Sequence, residues 1–112
     1  MTAPRTLFDK LWDAHVVTVR EDGEALLWVD RHFVHEGSHH AFRQLDARGR
    51  RVAEPCLTFG VADHYVPTRD RRVFVSPEVE GMVERLRTNT RVHGIKLFDV
   101  EDKQQGIVHV IG

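Results

Sequence analysis

Cysteine is almost missing from this chain: Cys56 stands alone. One thiol excludes an intrachain disulfide and fits a reducing compartment. It also excludes a self-contained thiolate zinc or iron–sulfur site, which needs several cysteines. Long apolar runs are missing too, and none approaches the ~20 residues a membrane-spanning helix requires. Met1 to Lys10 carries no apolar stretch of the secretory kind. Charge of one sign is not in excess, with 16 Lys and Arg against 17 Asp and Glu and a formal net charge of -1. A nucleic-acid binder normally shows a basic surplus. These absences lead to the expectation of a soluble cytoplasmic protein with no nucleic-acid and no membrane partner. Its 112 residues make at most one domain with a small core.

Histidine is plentiful, with eight: His15, His32, His35, His39, His40, His64, His93 and His109. The most informative of them follows the run Leu57-Thr58-Phe59-Gly60-Val61, which ends in Ala62-Asp63-His64 and stops at Pro67. A short apolar run between breakers suits a buried strand of a parallel sheet. Its carboxyl end would present Asp63 and His64 at the sheet edge, where open α/β folds place ligands. A carboxylate beside an imidazole fixes the ring's tautomer and favours its protonated form, which makes a proton donor. The plainer alternative is an Asp that starts a turn and a surface His.

Elsewhere the pattern alternates. Thr6 with Asp9 three residues on reads as a capping box for a helix carrying Leu7, Phe8, Leu11 and Trp12 on one face. Two strand-like runs, His15–Val19 and Ala25–Asp30, flank Asp22-Gly23 as a hairpin. Ser38 is a candidate cap for a helix with Ala41, Phe42 and Leu45, closed by Gly49. Ser76-Pro77-Glu78 starts another, whose face is Val79, Met82, Val83 and Leu86 and whose end is Gly94. Ile95–Asp99 returns as a strand. Strands alternating with helices give an α/β class. Phe8, Trp12, Phe42 and Met82 are expected in the core, and Cys56 as a small apolar residue beside it. His15, His39, His40 and His93 are expected to be solvated or capping. Arg69, Arg71 and Arg72 form a solvated loop, with a carboxylate clamp as the alternative. His32, His35 and His39 invite a metal reading, but the spacing is no recognised zinc signature and Gly37 interrupts it. The apolar end, Gly106 to Gly112, is core-like and gives the expectation of a truncated chain that tends to associate through Ile107 to Ile111.

Five ordered blocks together resemble a known family. They are Thr6-Leu7-Phe8-Asp9-Lys10-Leu11-Trp12-Asp13-Ala14-His15, Asp30-Arg31-His32-Phe33-Val34-His35-Glu36, Asp63-His64-Tyr65-Val66-Pro67-Thr68, Gly94-Ile95-Lys96-Leu97-Phe98-Asp99 and Gln105-Gly106-Ile107-Val108-His109-Val110-Ile111-Gly112. In this order they look like the start of the 3-isopropylmalate dehydratase large subunits, the leucine-biosynthesis branch of the aconitase family. The resemblance covers essentially the whole chain. It implies the N-terminal part of an aconitase-like three-layer α/β/α domain with a mostly parallel sheet, residues 1–112 being an incomplete segment of that catalytic domain.

The resemblance further implies a hydro-lyase that moves a hydroxyl between adjacent carbons of isopropylmalate by dehydration and rehydration. It implies a [4Fe-4S] cluster with one open iron, and a small subunit as partner. Asp63-His64 resembles the pair whose imidazole helps protonate the leaving hydroxyl. His109 resembles a second active-site histidine, and His35 lies where aconitases have a substrate-contacting side chain of another type. The family's three cluster cysteines and its Gly-Asp-Ser-His-Thr segment have no counterpart here, and Cys56 matches none of the cysteines. Glu36-Gly37-Ser38-His39-His40 departs from the usual Thr-Ser-Pro-Gln stretch, and Tyr65 replaces a common Asn. The chain alone is expected to bind no cluster and to be inactive. Homoaconitase or another hydro-lyase of the superfamily is the alternative within the class. A non-catalytic remnant, or a small histidine-rich metal-binding domain, is the alternative outside it.

Overall fold

A computed structural model describes residues 3–112, which fall into two units, the first ending at Asp30 and the second running Arg31–Gly112. In the first unit, α1 spans Leu7–His15. The capping box forms as expected: Thr6 Oγ1 accepts the Asp9 N–H at 3.1 Å and Asp9 Oδ2 accepts the Thr6 N–H at 3.0 Å. β1 (Val16–Val19) and β2 (Ala25–Leu27) pair antiparallel around a turn in which Gly23 takes φ +88°, a region open to glycine at no steric cost. His15 closes the unit. One ring nitrogen bonds the Leu11 carbonyl at 2.6 Å and the other Asp30 Oδ2 at 2.5 Å. The Asp30 hydrogen bond first, and the Leu11 carbonyl second, hold its imidazole above the usual pKa.

The expected burial of Phe8 and Trp12 does not occur. Phe8 is 67% exposed and Trp12 37%, and α1 buries no residue at all. A nine-residue helix and a two-stranded ribbon supply no second layer to cover an apolar stripe. The two rings stack on each other instead, with centroids 5.7 Å apart.

The second unit is α/β. Its sheet is three-stranded and parallel in the order β3 (His32–Val34), β4 (Thr58–Val61), β5 (Lys96–Phe98). The crossover from β3 to β4 carries α2 (His39–Ala47), and that from β4 to β5 carries α3 (Pro77–His93). β4 lies in the middle, so its apolar run is buried as expected, although it begins at Thr58 because Pro55–Leu57 forms a 3-10 turn. Cys56 lies in that turn, just ahead of the buried run, and is exposed. Register places Val34, Gly60 and Leu97 abreast on one face, toward α3. A Cβ at Gly60 would lie 2.7 Å from Thr90 Cγ2, so only glycine lets the helix approach this strand. The core on this side gathers Val34, Phe42, Ala62, Val83, Leu86, Ile95 and Val100. The opposite face carries Phe33, Phe59 and Phe98, stacked at 5.7 and 6.4 Å.

α3 starts where Ser76-Pro77 places it, with Ser76 Oγ accepting the Val79 N–H at 3.3 Å, and ends at Gly94 with φ +70°. Its buried face is Val83, Leu86, Thr90 and His93, while Val79 and Met82 are half-buried. His93 is therefore neither solvated nor a cap. It is 4% exposed, accepts the Val52 N–H at Nδ1 (3.1 Å), and leaves Nε2 3.5 Å from Asp46 Oδ1 without a hydrogen bond. α2 ends at Gly49 as expected, but Ser38 does not cap it, because that hydroxyl is committed to the His35 N–H at 3.1 Å. The last apolar run forms a short helix, α4 (Val108–Ile111), with Ile107 and Val110 exposed. No helix among the described residues is long and apolar enough to cross a membrane.

Candidate functional site

β3 and β4 are parallel neighbours, so their carboxyl ends leave the sheet at the same edge. β3 runs into His35-Glu36 and β4 into Ala62-Asp63-His64. The two imidazoles meet there: His35 and His64 stack with centroids 4.1 Å apart and planes 5° from parallel. Asp63 and His64 thus stand where the strand reading puts them, joined by a hydrogen bond between Asp63 Oδ1 and His64 Nδ1. The Asp63 side chain is 6% exposed and that of His64 52%, so the carboxylate anchors from within while the ring reaches outward. Beside His64 opens a cleft of about 400 Å³, lined by Tyr65, Val66, Phe74 and Val79 among others.

Asp63 has a second duty. Its Oδ2 accepts the Val108 N–H at 2.8 Å, which ties the start of α4 to the site and brings His109 into its neighbourhood. His109 is exposed, and no hydrogen bond joins its ring to His35 or His64. Burial alone would raise the Asp63 pKa. The Val108 N–H, then the His64 hydrogen bond and the charges on His64 and His35, outweigh it and hold the carboxyl below its ordinary value. A lowered folded pKa stabilises the fold above the unfolded value of 3.8 and ceases to do so as pH falls through the folded value. We therefore expect Asp63 to titrate below pH 3.8, with the Val108 amide signal in NMR moving with it and the start of α4 loosening in the same range. In Asp63→Asn the acid-dependent movement of Val108 disappears. A Val108 signal whose acid movement has its midpoint at or above the ordinary carboxyl value of about 3.9, or persists in Asp63→Asn, would contradict the anchor.

Four further residues hold the site in place and escaped sequence reasoning. Glu36 is 1% exposed, with Oε2 accepting the His64 N–H at 3.2 Å and Oε1 the Tyr65 N–H at 3.4 Å. Gln105 Nε2 donates to the Ala62 carbonyl at 2.8 Å. Arg71 Nη1 donates to the Val100 carbonyl at 2.8 Å and to Gln105 Oε1 at 2.5 Å. Arg71 is therefore a brace and not part of a merely solvated loop. Gly37 donates its N–H to His35 Nδ1 at 3.0 Å. Glu36 and Gln105 lie in the blocks that carry the resemblance, which was the one available signal. A charged residue beside a strand end reads as exposed unless its partners are known.

The metal reading shifts. His32, His35 and His39 do not assemble: His32 is exposed at the start of β3, and His39 Nδ1 bonds the Glu36 carbonyl at 3.1 Å. The residues that do gather are His35, Glu36 and His64, each with one ligand-type atom within 4.8 Å of the others. Their chemistry favours hydrogen bonding over coordination. Both Glu36 oxygens hold backbone amides, His35 Nδ1 holds Gly37, and near-parallel rings aim their in-plane lone pairs along parallel planes. A [4Fe-4S] cluster needs several thiolates, and Cys56 is the single cysteine, so these residues do not hold one.

Comparison with known proteins gives one family. The model of the aconitase family (aconitate hydratase) matches residues 9–112. No solved structure matches the chain.

Proposed function

This chain belongs to the aconitase family, and within it we propose the N-terminal segment of the catalytic domain of a 3-isopropylmalate dehydratase large subunit. The family's general chemistry is that of hydro-lyases acting on small molecules, and it generally uses a [4Fe-4S] cluster. The narrower substrate, 2- and 3-isopropylmalate interconverted in leucine biosynthesis, is our reading, as are a small subunit as partner and a cytoplasmic setting. The observation that carries the hydro-lyase reading is the Asp63–His64 pair at the end of the central strand with His35 stacked against it, and the narrower branch rests on the five ordered sequence blocks.

Dehydration of a hydroxy acid meets two obstacles. Hydroxide is a poor leaving group, and a C–H beside a carboxylate is a weak acid. Asp63 accepts from His64 Nδ1 and so directs the exchangeable proton of the ring to Nε2. We assign His64 the role of giving that proton to the departing hydroxyl and taking it back in rehydration. His35 donates to a substrate oxygen, and His109 is the second imidazole assigned to the substrate. The cluster's cysteines would come from outside these residues, and no step is assigned to it here. A homoaconitase would use the same pair on a different side chain.

Reading the coding frame beyond the Gly112 codon tests this assignment. Continuation into Gly-Asp-Ser-His-Thr and a later Cys…Cys-x-x-Cys is the expected result. A stop codon at once, with no such segment nearby, would favour a non-catalytic remnant.

A further inference from the structure

His35 is held by an unusual local arrangement. Its ring folds back over the next turn, where Nδ1 accepts the Gly37 N–H at 3.0 Å, while its own N–H is bonded to Ser38 Oγ at 3.1 Å and its carbonyl to the Ser38 N–H at 3.0 Å. A side chain at position 37 has no room. A Cβ there would lie 2.8 Å from His35 Cε1 and 3.3 Å from Nδ1. Gly37 does not take positive φ, so space for the ring, not backbone freedom, is what requires glycine.

The hydrogen bond has a chemical consequence. A nitrogen that accepts an N–H must carry its lone pair, so the neutral His35 ring keeps its single proton on Nε2. His64 is opposite: Nδ1 faces the Asp63 carboxylate and carries the proton, which leaves the lone pair on Nε2. Two stacked imidazoles, 4.1 Å apart, therefore hold opposite tautomers.

We propose that Gly37 is a positioning residue: its amide fixes His35 as a standing Nε2–H donor beside the proton-exchanging Nε2 of His64, a pair suited to the oxygens of a hydroxy-carboxylate. This inference rests on the site reading given above and adds a division of labour. His35 binds without exchanging its proton, and His64 exchanges it. The choice between the rings is made by Gly37 on one side and Asp63 on the other. A residue larger than glycine at 37 pushes the His35 ring away, frees Nδ1 and lets either tautomer form.

Two-bond nitrogen–proton correlation NMR of the uniformly labelled chain reads imidazole tautomers directly. At about pH 8.5, roughly two units above the ordinary histidine pKa, the expected result is an Nε2–H pattern for His35 and an Nδ1–H pattern for His64. In Gly37→Ala the His35 pattern becomes mixed or inverted, while that of His64 is unchanged. An Nδ1–H or mixed pattern for His35 in the unaltered chain overturns the proposal without need of the variant, and so does an unchanged His35 pattern in folded Gly37→Ala. Failure of the catalytic reading looks different. It would show as undiminished turnover in the enzyme carrying His64→Ala, whatever the tautomers are.

Discussion

His64→Ala in the complete enzyme is expected to lower turnover by at least ~100-fold, the usual scale for a lost general acid, while leaving the fold intact. The separation is possible because the two roles lie on different atoms. The His64 side chain is half exposed, and what the fold uses is its backbone N–H, held by Glu36, which alanine keeps. Asp63 loses one partner but retains the Val108 N–H. The ring's hydrogen bond to Asp63 and its stack on His35 are lost, a cost of about 1 kcal/mol. Thermal unfolding should shift by only a few degrees, about what 1 kcal/mol moves a domain of this size, and cluster content should match the unaltered enzyme, so that the loss of turnover belongs to chemistry. Near-normal turnover would remove His64 from the acid role.

Glu36→Ala has the opposite profile, with the cost in stability. Its carboxylate is almost fully enclosed and accepts two successive amides, those of His64 and Tyr65. Alanine leaves both N–H groups without an acceptor and opens a void where the side chain stood. A lost acceptor for a buried donor costs about 1–3 kcal/mol, and water reaching the half-exposed turn recovers part of it. A net loss of about 3 kcal/mol is expected, a large part of the roughly 5–15 kcal/mol of a small domain. In urea the midpoint should fall with the slope unchanged. Glu36→Gln, which keeps the volume and one acceptor oxygen, should cost less. An unmoved midpoint in Glu36→Ala would mean that the turn after β4 is held by something else.

The two residues show what the sequence could and could not convey. Asp63 and His64 were legible because an apolar run ending at a breaker gives a buried strand, and strand alternation with helices gives parallel pairing. Together these determine which end of the strand carries the site. The helix from Ser76 to Gly94 was legible through its caps, which act locally. Glu36 was not, because burial of a carboxylate depends on two amides 28 and 29 residues away. His93 escaped in the same way, its partner amide lying 41 residues off at Val52. In α1 the pattern was right and its consequence wrong. Leu7, Phe8, Leu11 and Trp12 form an apolar stripe, but periodicity says only that a stripe exists, not that anything covers it. Ser38 has a cap's chemistry and a cap's position, yet the His35 amide takes its hydroxyl.

Alkene formation from 3-isopropylmalate, followed by ultraviolet absorbance in the proposed full-length, cluster-loaded enzyme together with the proposed small subunit, tests the central claim most directly. Citrate and homocitrate run beside it, together with the 112-residue chain alone. The expected result is dehydration of 3-isopropylmalate by the complete enzyme, little or none of the other two acids, and no activity in the chain alone. Turnover of homocitrate in place of isopropylmalate would move the assignment to the homoaconitase branch. Absence of dehydration with every one of these acids would contradict the hydro-lyase reading of Asp63 and His64.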